Sequence, residues 1–157
     1  MIAPALLPPA AGPSGFNVLA ADDDEAVLDL MGRILSRAGH RVVLARDGHE
    51  ALRLFEEHRP DVTLLDIFMP RMTGMEALRR IRASDGDAEV VLLTGMVRAD
   101  LVIEALRNGA SNFVEKPFRP AALLDQIASS LLRCGLRREQ ACLERELANL
   151  GAEVANP

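Results

Sequence analysis

Residues Pro60 to Pro70 read PDVTLLDIFMP, an apolar run of strand length bounded by prolines, with an aspartate near its end. Val62 to Leu65 read as a strand buried on both faces, the kind found inside a parallel sheet. Asp66 then stands where that strand stops. Open α/β sheets bind their ligands beyond the carboxyl ends of central strands. The remaining elements are therefore read for what they bring to Asp66.

Phe16 to Ala21 (FNVLAA) is a first strand, and it ends in the acidic run Asp22, Asp23, Asp24, Glu25. Val27, Met31, Ile34, Leu35 and Ala38 recur at helical spacing until Gly39 stops the helix. Arg41 to Ala45 is a second strand, and Ala51, Leu52 and Phe55 mark a second helix ended by His58, Arg59 and Pro60. After the third strand comes the loop MPRMTG, then a helix carrying Met75, Leu78 and Ile81. Glu89 to Leu93 is a fourth strand ending at Thr94, and Leu101 to Arg107 a fourth helix. Asn112 to Glu115 is a brief fifth strand ending at Lys116, and Leu123, Leu124, Ile127 and Leu131 mark a fifth helix. Five strands alternating with five helices predict an α/β fold with a doubly wound parallel sheet.

Composition narrows the functions such a sheet can serve. The net charge is -5 and the chain has no Trp or Tyr, which disfavours a phosphate-backbone or base-stacking surface for nucleic acid. Cys134 and Cys142 match neither a metal motif nor a disulfide framework, and read as cytosolic thiols. His40, His49 and His58 are scattered, and His58 reads as a cation at a helix C-terminus. No apolar run approaches membrane-spanning length. Residues 1–15 hold four of the nine prolines and no basic residue, so they read as a disordered Pro/Ala-rich leader, not a signal peptide. The expected location is the cytoplasm.

In a parallel sheet the polar strand ends Asp22, Asp66, Thr94 and Lys116 share one edge. Converging carboxylates repel unless a cation sits among them, and Asp22, Asp23 and Asp66 suit a hard divalent ion such as Mg²⁺. A carboxylate can itself be a nucleophile toward phosphorus. Lys116 would offer a point charge to a phosphoryl oxygen and the Thr94 hydroxyl a hydrogen bond to another. Each piece also has a plain reading: a helix N-cap for Asp22 to Glu25, ordinary loop positions for the others. Four such pieces at four sheet-edge positions favour the joint reading.

VLAADDDE, TLLDIFMPRMTG, LLTG and FVEKPF, in that order, resemble the motifs of the receiver domain of bacterial two-component response regulators. The resemblance runs over residues 16–132. It implies a flavodoxin-like (βα)5 fold with strand order 2-1-3-4-5. It also implies Asp66 as the phosphorylated residue, with Asp22, Asp23, Asp66 and the Phe68 backbone carbonyl as ligands of Mg²⁺ (or Mn²⁺), Asp23 being the favoured direct ligand. Thr94 and Lys116 would contact the phosphoryl group. Thr94 and Phe113 would be the switch pair, and Phe113 stands where many relatives have Tyr. The implied donor is a phosphohistidine on a sensor histidine kinase or a histidine phosphotransfer protein. The implied output is a downstream protein or the chain's own dimer, reached through the surface of the fourth helix, fifth strand and fifth helix. Such a domain promotes its own phosphorylation and dephosphorylation and is not an enzyme with a turnover substrate. It binds no membrane and no nucleic acid directly.

Three rivals remain on the same fold. A Mg²⁺-dependent aspartyl phosphatase needs a second aspartate two residues after the first, where this chain has Phe68. A flavin or dinucleotide site needs a glycine-rich or hydroxyl-rich loop after the first strand, where three aspartates stand. A phosphorylation-independent interaction scaffold is the third. Residues 133–157 carry Leu136, Leu143 and Leu150 at seven-residue intervals, with Leu147 and Val154 at the complementary position, which Arg133 and Gln140 also occupy. A helical extension, a short coiled coil or a linker all fit, and Gly135 is expected to interrupt the helix early.

Overall fold

The computed structural model describes residues 15–154; the expected leader at 1–15 lies, but for Gly15, outside the described residues. The elements in chain order are β1 (Asn17–Ala21), α1 (Glu25–Arg37), β2 (Arg41–Ala45), α2 (Gly48–His58), β3 (Val62–Asp66), α3 (Gly74–Ser84), β4 (Val90–Thr94), α4 (Ala99–Arg107), β5 (Asn112–Glu115) and α5 (Pro120–Val154). All strand pairs are parallel and the order across the sheet is β2-β1-β3-β4-β5. This is the flavodoxin-like arrangement. The chain moves outward from β1 to β2, then returns to the far side of β1 as β3. That reversal opens a crevice at the carboxyl ends of β1 and β3.

The strands β3 and β4 are buried throughout, as their mostly apolar runs require. On one face of the sheet Leu28, Met31 and Leu35 of α1 and Leu123, Ile127 and Leu131 of α5 pack on Val18, Leu64 and Val91. On the other, Phe55 of α2 and Leu78 and Ile81 of α3 pack on Leu19, Leu65 and Leu92. The first three helices begin where side chains can take up their free N–H groups. Asp24 caps α1, Asp47 caps α2, and Thr73 with Glu76 forms a reciprocal capping box on α3. Asn17 opens β1 one residue later than its apolar run suggests. Asp22 and Lys116 stand one residue beyond β1 and β5, whereas Asp66 and Thr94 are the last residues of their strands.

The expected break at Gly135 does not occur: α5 runs without interruption for 35 residues, about 52 Å. A glycine inside a helix costs only about 1 kcal/mol. Here arginines on both sides of it tie the helix to the domain. Glu89, just before β4, is only 4 % exposed. Its carboxylate accepts from Arg133 Nε and Nη2 at 3.2 and 3.1 Å and also from Arg137. Arg138 pairs with Asp61, whose other oxygen accepts from the Asn17 amide at 2.8 Å.

Burial alone would raise the Glu89 carboxyl, but the bonds from Arg137 and Arg133 outweigh it and hold the group below its ordinary range. A lowered folded-state pKa contributes stability that is complete above the unfolded value and is lost as pH falls through the folded one. Glu89→Gln is therefore expected to lower stability at pH 7 by about 1–3 kcal/mol in urea denaturation. The gap from wild type should close in strongly acidic buffer, and a gap unchanged there would remove the ionised glutamate from the account.

Candidate functional site at the carboxyl edge of the sheet

The acidic run after β1 is divided between two tasks. Asp24 turns away to cap α1, accepting from the Ala26 amide at 2.9 Å. Asp22 accepts from the Asp24 amide at 2.9 Å, which fixes its carboxylate over the sheet edge. Asp22 is fully buried and Asp23 exposed, and their carboxylate oxygens lie within 4.8 Å of one another and of Asp66. The plain helix-cap reading therefore holds for Asp24 alone.

Lys116 reaches across from the end of β5. Its ammonium donates to Asp22 and lies 3.1 Å from Asp66 Oδ1. Burial opposes its charge, yet both carboxylates hold its pKa above the ordinary lysine value. The peptide between Lys116 and Pro117 is cis. Asp66 itself is 5 % exposed. Its carboxyl is pushed up to about 6, first by burial and then by the Asp22 charge, with Asp23 adding to the rise and Lys116 opposing it. One ammonium thus meets two of three clustered carboxylates, and negative charge is left over. Three oxygen donors of this kind match a hard divalent cation better than a soft one.

Thr94 is buried at the end of β4, but its hydroxyl is turned into its own loop. It donates to the Met96 carbonyl at 2.9 Å and accepts from the Met96 amide at 3.1 Å. Phe113 is partly buried on β5, opposite Leu92 in register, and packs against the core beneath α2 and α3. The side chains of Phe68 and Met96 are about half exposed on the loops leaving β3 and β4. Cys134 is half-buried and Cys142 exposed, both far along α5 and outside this edge.

Gly74 is a residue that sequence reasoning passed over. A Cβ there would sit 2.1 Å from the carbonyl oxygen of Asp66, because α3 begins directly behind that residue. Its amide donates to the Ile67 carbonyl at 2.9 Å and closes the loop. The signal was present in Thr73-Gly74-Met75-Glu76, a capping box with glycine at its first helical position. Gly74→Ala is expected to cost about 1–3 kcal/mol, read by thermal or urea unfolding. An unchanged midpoint would show that the loop can yield at no cost.

Comparison with known proteins agrees with this geometry. The family model described as the response regulator receiver domain matches residues 18–128. Response regulator MprA of Mycobacterium leprae is 39 % identical over 118 residues, covering 75 % of this chain and 52 % of that protein. The chain thus spans about half the length of the curated relatives it matches. Among solved structures, chemotaxis protein CheY4 of Vibrio cholerae has a TM-score of 0.73 at 32 % identity, covering 75 % of this chain and all (100 %) of that one. CheY of Borrelia burgdorferi, in a complex with CheX, BeF3 and Mg²⁺, gives 0.72 at 32 % identity, covering 74 % and 89 %. NtrX of Brucella abortus gives 0.78 at 30 % identity, covering 82 % of this chain and 30 % of NtrX. With the motif order, the sheet topology and the family match in agreement, the chain belongs to the response regulator receiver domain family.

Proposed function

We propose that Asp66 accepts a phosphoryl group from a phosphohistidine on a sensor histidine kinase or a histidine phosphotransfer protein, and that the modified domain then changes its protein partner. The observation that carries this reading is the grouping of Asp22, Asp23 and Asp66 at the switch point of the sheet, with the ammonium of Lys116 against Asp22 and Asp66. Residues 16–132 form the phosphorylated unit, and the part of α5 beyond it, to Val154, is its helical extension.

Asp22, Asp23, Asp66 and the Phe68 backbone carbonyl would hold Mg²⁺, for which Mn²⁺ can substitute. When bound, the ion neutralises charge on the transferring group. Asp66, as carboxylate, attacks phosphorus. A P–O bond forms as the P–N bond breaks, and its electron pair returns to the donor imidazole, which is protonated from solvent. Lys116 already faces Asp66 and offers its charge to a phosphoryl oxygen, without needing to be recruited. The Borrelia relative was captured with BeF3 and Mg²⁺, a pairing of the kind such a carboxylate set would hold.

Thr94 must first give up its bond to the Met96 carbonyl before its hydroxyl can donate to the phosphoryl group. That exchange would draw in the loop after β4 and open room for Phe113 to turn behind it. The surface of α4, β5 and α5 is the output, toward a downstream protein or a second copy. Phe113 lacks the phenolic hydroxyl that a Tyr would offer a partner there. The domain acts in the cytoplasm, through protein contacts and not by holding nucleic acid, and has no turnover substrate.

Incubation with phosphoramidate or acetyl phosphate, followed by intact mass measurement, tests the reading. A Mg²⁺-dependent, base-labile gain of one phosphoryl group is expected on wild type and none on Asp66→Asn. No gain from the small donors or from a panel of phosphorylated histidine phosphotransfer proteins would leave the fold as a phosphorylation-independent scaffold.

Phe68 and Met96 flank the proposed acyl phosphate with half-exposed apolar side chains. They are expected to obstruct in-line attack by water and so to lengthen its life. Replacing both, as Phe68→Asn with Met96→Glu, should speed loss of the label about tenfold in a radiolabel chase, or about 1.4 kcal/mol of barrier. An unaltered lifetime would sink this assignment.

A further inference from the structure

We infer that the outer face of α5 beyond Arg138 is a docking surface for a basic amphipathic helix of another protein, a partner site separate from the phosphorylation edge. Leu123, Ile127, Ser130 and Leu131 are the buried residues of α5, and they set which side of the helix meets the domain. The arginine bonds to Glu89 and Asp61 carry the same orientation past Gly135. At about 100° per residue, Leu136, Leu143, Leu147 and Leu150 fall within an arc of roughly 60°, half a turn from those buried residues. Each of the four is more than half exposed. The clamp thus prevents the domain from covering its own leucines.

The stripe repeats every seven residues, with Leu136, Leu143 and Leu150 at one core position and Gln140 and Leu147 at the other. That is the seam a second helix occupies. The flanks say which helix. Glu139 and Glu146 line one side of the stripe and Glu144 the other, all three exposed. Arg145 lies on the opposite side of the helix, and the arginines at 133, 137 and 138 are already taken by Glu89 and Asp61.

A second copy of this chain fits poorly. Side by side in register, Glu139 of one copy meets Glu144 of the other; turned end for end, Glu139 and Glu146 oppose their own counterparts. A helix with leucines on its seam and lysine or arginine beside them meets the same flanks with opposite charge. The surface points away from the sheet, so the partner does not have to displace any part of the domain.

The test uses the whole chain and two labelled leucine-seam peptides of roughly four heptads, one with lysine and one with glutamate at the flanking positions. Fluorescence anisotropy should show the lysine peptide binding at least about tenfold more tightly. Leu143→Ser with Leu147→Ser should abolish that binding while leaving the unfolding midpoint unchanged, since both side chains are exposed. Glu139→Lys, Glu144→Lys and Glu146→Lys together should reverse the preference. Equal binding of the two peptides, or binding that survives the serine variant, would overturn the proposal. So would sedimentation of the free chain as a dimer that Leu147→Ser dissociates, for a second copy would then hold the stripe. None of these readings depends on Asp66, so they stand or fall apart from the phosphorylation test.

Discussion

The ammonium of Lys116, lodged against Asp22 and Asp66, is the contact on which the carboxyl edge depends. Three strands with no sequence proximity end there, and each brings a charged group that would be costly alone. Burying two carboxylates side by side is unfavourable by several kcal/mol unless the charge is offset. The lysine offsets part of it, and the remainder shows in the raised Asp66 carboxyl. The edge is assembled but not electrically neutral. That residual charge suits it to attract a cation.

Packing puts these groups in register. β3 and β4 are buried through their whole length and mostly apolar before their polar ends, so they suit the centre, covered on both faces. Parallel pairing then aligns all their carboxyl ends. The glycine at 74 lets α3 start against the Asp66 carbonyl, which keeps the loop short and the carboxylate held from behind. Fold and site are therefore one constraint. A slip in sheet register would separate Lys116 from Asp66.

Much of this was legible in the sequence. The strand around Val62–Leu65, the alternation of elements and the polar strand ends follow from hydrophobic period and turn residues, which are local signals. Strand order came from family resemblance, since periodicity does not say which strands are neighbours. Two things were not legible. Local sequence reads the whole run Asp22–Glu25 as a helix cap as readily as an acidic site, and only the fold divides it, with Asp24 capping α1 while carboxylate oxygens of Asp22 and Asp23 lie beside Asp66. Gly135 read as a break because its intrinsic cost is local, whereas the arginine pairs that outweigh it reach Glu89 and Asp61, more than forty residues away along the chain. Propensity lost to distant charge.

Glu89 and Thr94 bracket a single strand, about 16 Å apart along β4. The lower end is anchored by two arginines bonded to a buried carboxylate. The upper end is paired through its backbone, with the Lys116 amide donating to the Thr94 carbonyl at 2.7 Å and the Ile67 amide to the Leu93 carbonyl at 2.9 Å, while the Thr94 hydroxyl closes on its own loop. The strand is thus tied to the last helix at its root and to both neighbouring strands at its tip. Any displacement of Thr94 would therefore be felt by β3 and β5 together, since both strands bond to the backbone at that end.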